Sequence, residues 1–188
     1  VREFDVPSLN ERSNQPLEYC ALYRERYLQL PQANLAYGRP VSYAIEPGPR
    51  YLKLSETALT DGLYGGTGYV ENWVGWEGTD AQFTIDLGDM KEVTRIGIDC
   101  LRQIGAWVLE PKGVQFFTSA DGEYFELFDQ LQNPENRSGK VEFLSLEGKG
   151  SARARYVQVV VEGVKTCPEW HYGVGNPCWL FIDEVWVR

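Results

Sequence analysis

The chain has 188 residues, more than the roughly 150 of a common single domain, so it predicts one core-forming domain plus a short extra segment. Its 18 Lys and Arg against 27 Asp and Glu give a net charge of −9, which argues against nucleic acid, where affinity comes from clustered cations displacing counterions. No run approaches the roughly 18 apolar residues of a membrane-spanning helix, and no basic-then-apolar signal pattern opens the chain, so it reads as soluble and as a piece of something longer.

Residues 1–33 read as an N-terminal extension or the remnant of a preceding domain. Within them Leu17, Cys20, Ala21, Tyr27 and Leu28 fit one helical face, although Tyr19, Ala21, Tyr23 and Tyr27 also fit a period of two; helix is the reading taken. From Asn34 the pattern changes to strand and turn. Phe83, Ile85 and Leu87 alternate with polar residues until Gly88-Asp89 ends the run, and Val93 to Leu101 alternates again through Ile96 and Ile98. Val114–Ser119 and Tyr124–Phe128 flank Ala120-Asp121-Gly122, and Asp-Gly between two such runs is a hairpin signal. Val141–Leu146, Tyr156–Val161 and Leu180–Val187 complete the set. Short strands at this spacing predict an all-β sandwich or barrel over residues 34–188.

Three long segments separate the strands: 61–78, 103–112 and 163–179. They are rich in Gly, Trp and Tyr, unlike disordered chains, which are poor in aromatics, so function is expected in them. The cysteines Cys20, Cys100, Cys167 and Cys178 form no Cys-x-x-Cys pair, and with one His in the chain a zinc set is excluded. Cys100 sits in an apolar run and reads as a buried thiol. Cys167 and Cys178 bracket a loop that a disulfide can close, though spacing alone does not fix the pairing. Ser/His/Asp catalysis has only His171 to run through, and no Gly-x-Ser-x-Gly turn accompanies it.

A family becomes recognisable from five motifs in order: Leu59-Thr60-Asp61-Gly62, Gln82 to Gly88, Phe117 to Phe125, Ala154 to Val159, and Ile182-Asp183-Glu184-Val185. Together they resemble the discoidin or coagulation factor 5/8 type C family, whose bacterial members include carbohydrate-binding modules. The resemblance covers roughly 34–188 and implies a galactose-binding-like β-sandwich jelly roll. Residues 101–112 and 167–173 further look like segments of the C-terminal domains of bacterial chitobiases and β-hexosaminidases. What this implies is a non-catalytic accessory module of a secreted, periplasmic or cell-surface bacterial enzyme, monomeric, with a glycan ligand and a catalytic domain in the same chain as partners. The resemblance also implies a structural calcium ion held by the Asp61 side chain, main-chain oxygens near Leu59 and Leu63, an oxygen at Thr67, and Glu184. The alternative at Asp61 is an Asp-Gly turn whose carboxylate accepts local amide bonds.

A sugar presents a face of C–H bonds ringed by hydroxyls, so binding it needs a flat aromatic surface beside directional donors and acceptors. Gln103 with Trp107, Trp170 with His171, and Tyr64 with Trp73 and Trp76 are the candidates that the loops supply. Packing is the competing role for each, with Trp73, Trp76 and Trp179 favoured as core plugs and His171 able to brace its loop. Arg102 and Glu110 are expected to pair at the base of theirs, at an exposed position. A glycosidase is disfavoured because Glu77, Asp80, Glu110 and Glu169 show no diagnostic spacing. A structural or docking domain remains the alternative, since it too uses exposed aromatics.

Overall fold

Seven strands carry the described part of the protein: β1 Val41–Ile45, β2 Val74–Glu77, β3 Ala81–Arg102, β4 Gly113–Ser119, β5 Glu126–Gln132, β6 Glu142–Glu162 and β7 Trp179–Val187. The structure is a computed structural model that describes residues 34–188 except 53, 54 and 71, so the helix expected within 1–33 lies outside the described residues. The strands pair in the order β2-β7-β3-β6-β4-β5, with β1 added on β3.

The two long strands explain how one pairing network becomes a sandwich. β3 and β6 run antiparallel from Ala81↔Val161 to Arg102↔Glu142, with irregularities between Asp86 and Lys91 and between Val93 and Arg95. On one side of these breaks β3 pairs with β1 and β6 with β4; on the other, β3 pairs with β7. The β3–β6 pair therefore passes from one layer into the other, the architecture of a jelly roll. The main apolar core lies between the layers, with Phe83, Ile85, Phe116, Val157 and Val159 from one and Val74, Ile96, Ile98, Ile182 and Val185 from the other. Truncating one of its large side chains costs about 3–5 kcal/mol, so the scaffold holding the loops is stiff.

Several expectations change here. Gly88 does not end a strand: at φ +87 it bends β3 while Asp86 accepts the Gly88 N–H (2.8 Å) and takes both prongs of Arg155 from β6 (2.8 and 2.7 Å). The neighbouring strand bridges the bend, so runs that look separate in the sequence are halves of β3, and likewise of β6. Alternation stops after the bend because Ile96 to Arg102 is buried on both faces, the core on one and Trp73, Val108 and Phe181 near Leu101 on the other. The Asp-Gly hairpin forms, with Gly122 at φ +81, but β5 begins at Glu126 because Asp121 captures the N–H groups of Glu123 (2.9 Å) and Tyr124 (3.0 Å). β1 and β2 are additional strands, β2 lying inside the segment read as a loop. Cys100 is fully buried. Trp76 is buried and stacked on Phe83 at 6.1 Å, and Trp179 is stacked on Phe181 at 5.5 Å.

Candidate functional site

The turn before β2 collects the expected calcium residues together with two of the candidate aromatics. Tyr64 is 4% exposed and Trp73 1%. The Trp73 indole donates its N–H to the Gly66 carbonyl (3.0 Å) and stacks against Phe143 at 6.1 Å. Its other neighbour is Gly65, where a methyl group would fall 2.1 Å from Trp73 Cε2, so glycine is required for the ring to close down. Both rings are interior, and Trp73 braces the turn; neither presents a face to a ligand, which corrects their expected part in sugar binding.

Below them lie the acids. Asp183 accepts the Gly65 N–H at 2.6 Å, and both Glu184 oxygens accept the Gly62 N–H at 3.2 Å. Glu184 is 1% exposed, and burial, reinforced by the charges of Asp183 and Asp61, pushes its carboxyl up to about 9. Asp61 accepts the Leu63 N–H (2.9 Å), the local amide role, and the buried Leu59 carbonyl accepts the Val185 N–H (2.7 Å). Leu59, Asp61 and Glu184 thus come together, with Leu63 and Thr67 later in the same turn, Leu63 exposed and Thr67 half-buried. Among the described residues no three His, Cys, Asp or Glu side chains form a metal-holding group, so an ion here needs main-chain oxygens. An all-oxygen donor set with a buried carboxylate whose charge is disfavoured by its neighbours fits a hard cation such as calcium.

The second region is built from 103–112 and 163–179. Gln103 opens a 3-10 turn, Ile104–Ala106, that closes on Trp107 in the left-handed region at φ 64. The Trp107 carbonyl accepts the Trp179 N–H (2.8 Å) and Leu109 donates to the Trp179 carbonyl (3.0 Å), anchoring this loop to the start of β7. His171 is 3% exposed. Its Nδ1 accepts the Gly173 N–H (3.0 Å), which leaves Nε2 to donate to the Ile104 carbonyl at 3.0 Å. Both imidazole nitrogens are therefore spent on main chain, and His171 braces one loop against the other. The Tyr172 hydroxyl donates to the Gly105 carbonyl (2.8 Å) and accepts the Trp107 indole N–H. Trp107 and Trp170 set their rings edge-on to His171, at 6.1 and 5.8 Å. The structure thus brings Gln103, Trp107, Trp170 and His171 together and separates them from Tyr64 and Trp73 by role. The Gln103 Oε1 is buried without a hydrogen-bond partner.

Beside this cluster opens a cleft of about 440 Å³ lined by Leu109, Glu110, Pro111, Lys112, Asn133, Pro134, Glu135, Asn136, Val164, Thr166, Pro168 and Trp170. Trp170 is half-buried in its wall, donating its indole N–H to Glu135, with the Arg137 guanidinium 5.4 Å from the ring centre. Arg137 and the Trp170 N–H hold the Glu135 carboxyl below the usual carboxylate range. Glu110 gives one oxygen to Arg102 (2.9 Å) and the other to Asn133 (3.4 Å). The expected Arg102–Glu110 pair forms, but not at an exposed position: the Arg102 side chain is fully buried, neutralised also by Glu142 at 2.5 Å and capped by the Lys140 carbonyl. The acids of the cleft thus accept hydrogen bonds from its own walls, Glu110 from Arg102 and Asn133 and Glu135 from Arg137 and Trp170, so the cleft is lined by paired groups. It does offer an indole beside amides, carboxylates and a lysine. Asn133, Glu135 and Asn136 escape the sequence reading, because Asn133-Pro134-Glu135-Asn136 looks like an ordinary connection between two strands, and Lys112, although it ends the segment 103–112, is not singled out there.

No family model matches the chain, and no curated protein matches it. Solved structures do. Chitosan-binding module 1 of a chitosanase/glucanase from Paenibacillus sp. IK-5 gives a TM-score of 0.52 at 13% identity, over 84% of this chain and 99% of that one. A CBM32-1 module from a family 31 glycoside hydrolase of Clostridium perfringens gives 0.54 at 15% identity, over 84% and 99%. A GH29 fucosidase from Ruminococcus gnavus gives 0.51 at 13% identity, over 92% of this chain but 29% of the enzyme. The chain therefore has the discoidin-like jelly-roll fold of these carbohydrate-binding modules, and it spans under a third of the longer enzyme.

Proposed function

We propose that residues 34–188 form a non-catalytic carbohydrate-binding module that takes a terminal sugar, of N-acetylhexosamine or galactose type, in the cleft walled by Trp170. The observation that carries this reading is the cleft itself: a half-buried indole beside Asn133, Asn136, Thr166 and Lys112 in a space of about 440 Å³. The indole face takes the C–H side of the ring, and the amides, the lysine and Glu135 take hydroxyls. The modules of like fold are named for chitosan binding or for their place in a glycoside hydrolase, which supports attachment to a glycan-degrading enzyme; that the enzyme is secreted, periplasmic or at the cell surface is part of the same proposal. A calcium ion in the Asp61–Glu184 turn would supply positive charge to the buried carboxylate; Asp61, Glu184 and main-chain oxygens near Leu59, Leu63 and Thr67 would hold it, away from the sugar.

Affinity should be weak. At about 0.3 kcal/mol per atom, a monosaccharide of roughly 14 heavy atoms gains about 4 kcal/mol, a Kd near 1 mM. Calorimetric titration with N-acetylglucosamine, galactose and their oligomers should show binding that Trp170→Ala removes while the fold persists. Silence with all of them at ~20 mM ligand would sink the reading, since ~20 times the expected Kd saturates a millimolar site.

The second reading is docking against a parent enzyme. It is favoured by Tyr172 and Val174, 70% and 53% exposed beside Trp107. A variant with Tyr172→Ser and Val174→Ser that still binds sugar but separates from its parent domain in a pull-down distinguishes the two.

A further inference from the structure

We propose that Arg102 and Glu110 are positioning residues that hold the Asn133 amide with its nitrogen against the wall, so that the cleft meets its ligand with Asn133 Oδ1 and selects a sugar by a hydroxyl that donates there. The consequence for binding rests on the cleft reading above; the hold on Asn133 does not depend on any ligand. The Arg102 side chain is fully buried at the end of β3. Its Nη1 donates to Glu110 (2.9 Å), Nε and Nη2 donate to the Lys140 carbonyl (3.4 and 3.3 Å), and Nη2 also meets Glu142 at 2.5 Å. One guanidinium thus ties the loop 103–112 to the connection that leads into β6, and both of these segments wall the cleft. Its planar fork serves acceptors in several directions, which a lysine ammonium on its flexible stem does not reproduce.

The constraint passes from Arg102 to Asn133 through Glu110. Arg102 takes Oε1, so Oε2 is the oxygen that faces Asn133, and it accepts from Nδ2 at 3.4 Å. The same Nδ2 donates to the Pro111 carbonyl (2.9 Å), and the Asn133 main-chain N–H donates to the Lys112 carbonyl (2.7 Å). A reversed amide would set Oδ1 against a carboxylate and a carbonyl, neither of which can donate, so the neighbours fix its orientation. Both amide hydrogens are thereby spent on Glu110 and Pro111. Oδ1 is the atom that Asn133 has left to offer the cleft it lines.

An acceptor at that point chooses its ligand by chemistry. A sugar hydroxyl donates to Oδ1, whereas a fluorine in place of that hydroxyl leaves Oδ1 facing a second electronegative atom. Glu110→Gln separates the positioning role from the mere presence of Asn133. The new amide gives its oxygen to Arg102 and turns its nitrogen to Asn133, so the Asn133 amide reverses and offers the cleft its N–H groups instead. Asn133 itself is untouched, and Glu142 still neutralises Arg102.

The test uses the full chain, first without ligand. By side-chain amide NMR the Asn133 NH2 protons should exchange with water at least ~10-fold more slowly than those of the exposed Asn136, and Glu110→Gln should abolish the difference. Arg102→Lys, which keeps the charge without the fork, should speed the exchange in the same direction. Equal exchange of the two amides in the unaltered protein overturns the proposal. The second arm titrates galactose, N-acetylglucosamine and each of their monodeoxyfluoro derivatives. At least one fluoro substitution should weaken binding ~10-fold, and Glu110→Gln should shrink that loss to ~3-fold or less while weakening the parent sugar ~10-fold. The same fluoro pattern in both proteins shows that Asn133 does not select, and that half of the proposal falls. If no sugar binds the unaltered protein, the cleft reading fails and takes the selection with it, while the exchange rates still decide whether Arg102 and Glu110 hold Asn133.

Discussion

Tyr64 and Trp73 in the turn before β2, and Trp107 and Trp170 at the other aromatic region, are similar residues in similar Gly-rich segments with opposite fates. The first pair is buried, with Trp73 shut in by Gly65 and Phe143; the second pair stays half-exposed, its members leaning on His171 and, for Trp170, fronting a cleft. What separates them is the residue opposite. A glycine lets a ring close onto main chain, whereas Glu135 and Arg137 meet the edge and face of Trp170 with polar groups and leave the ring half-buried. An aromatic loop is therefore a candidate for binding only where its rings keep accessible surface.

The largest expected break in this contrast is Trp73→Ala, which should cost about 3–5 kcal/mol in chemical denaturation, because an indole enclosed on both faces leaves a cavity. Gly65→Ala should follow at about 1–3 kcal/mol, since its methyl cannot coexist with the Trp73 ring at 2.1 Å. An equal melting temperature for that variant would show that the turn relaxes freely.

The acid below the turn gives a pH signature. Glu184 titrates near 9 in the folded protein, above its unfolded value near 4.3, so the native state holds a proton that the unfolded state releases. Its stabilisation is complete below about pH 4, declines as pH rises and is lost through pH 9. In chelator the melting temperature should fall between pH 5 and 9, and millimolar calcium, which favours the ionised carboxylate, should flatten the fall. A flat profile in chelator would remove the buried acid from the account.

In the second region the effects shift from stability to binding. Trp170→Ala should change stability by under ~1 kcal/mol yet weaken sugar binding at least ~10-fold, measured by calorimetry beside a thermal melt. Smallest is Tyr172→Phe, which removes the acceptor of the Trp107 N–H at an exposed position and should cost ~0.5–1 kcal/mol, read from the melt alone.

Much of the scaffold was legible because a sheet writes its burial into a period of two. Phe83, Ile85 and Leu87 show it plainly, and Asp121-Gly122 marks its turn by backbone chemistry that no partner is needed to reveal. The continuity of β3 through Gly88 was not legible, because it depends on Arg155 arriving from a strand 69 residues away. For the same reason Gln103 with Trp107, and Trp170 with His171, could be picked each within one loop, while the meeting of the two loops could not, nor could Asn133, Glu135 and Asn136, which complete the cleft wall from the β5–β6 connection.

From the sequence alone come the all-β class, the core faces of the strands, the aromatic loops and the acidic turn, since each is a property of neighbours along the chain. The tertiary structure decides which ring is covered, which acid is buried and which connection meets Trp170, because burial, ion pairing and a shared cavity are made by residues distant in sequence and adjacent only once the layers have closed.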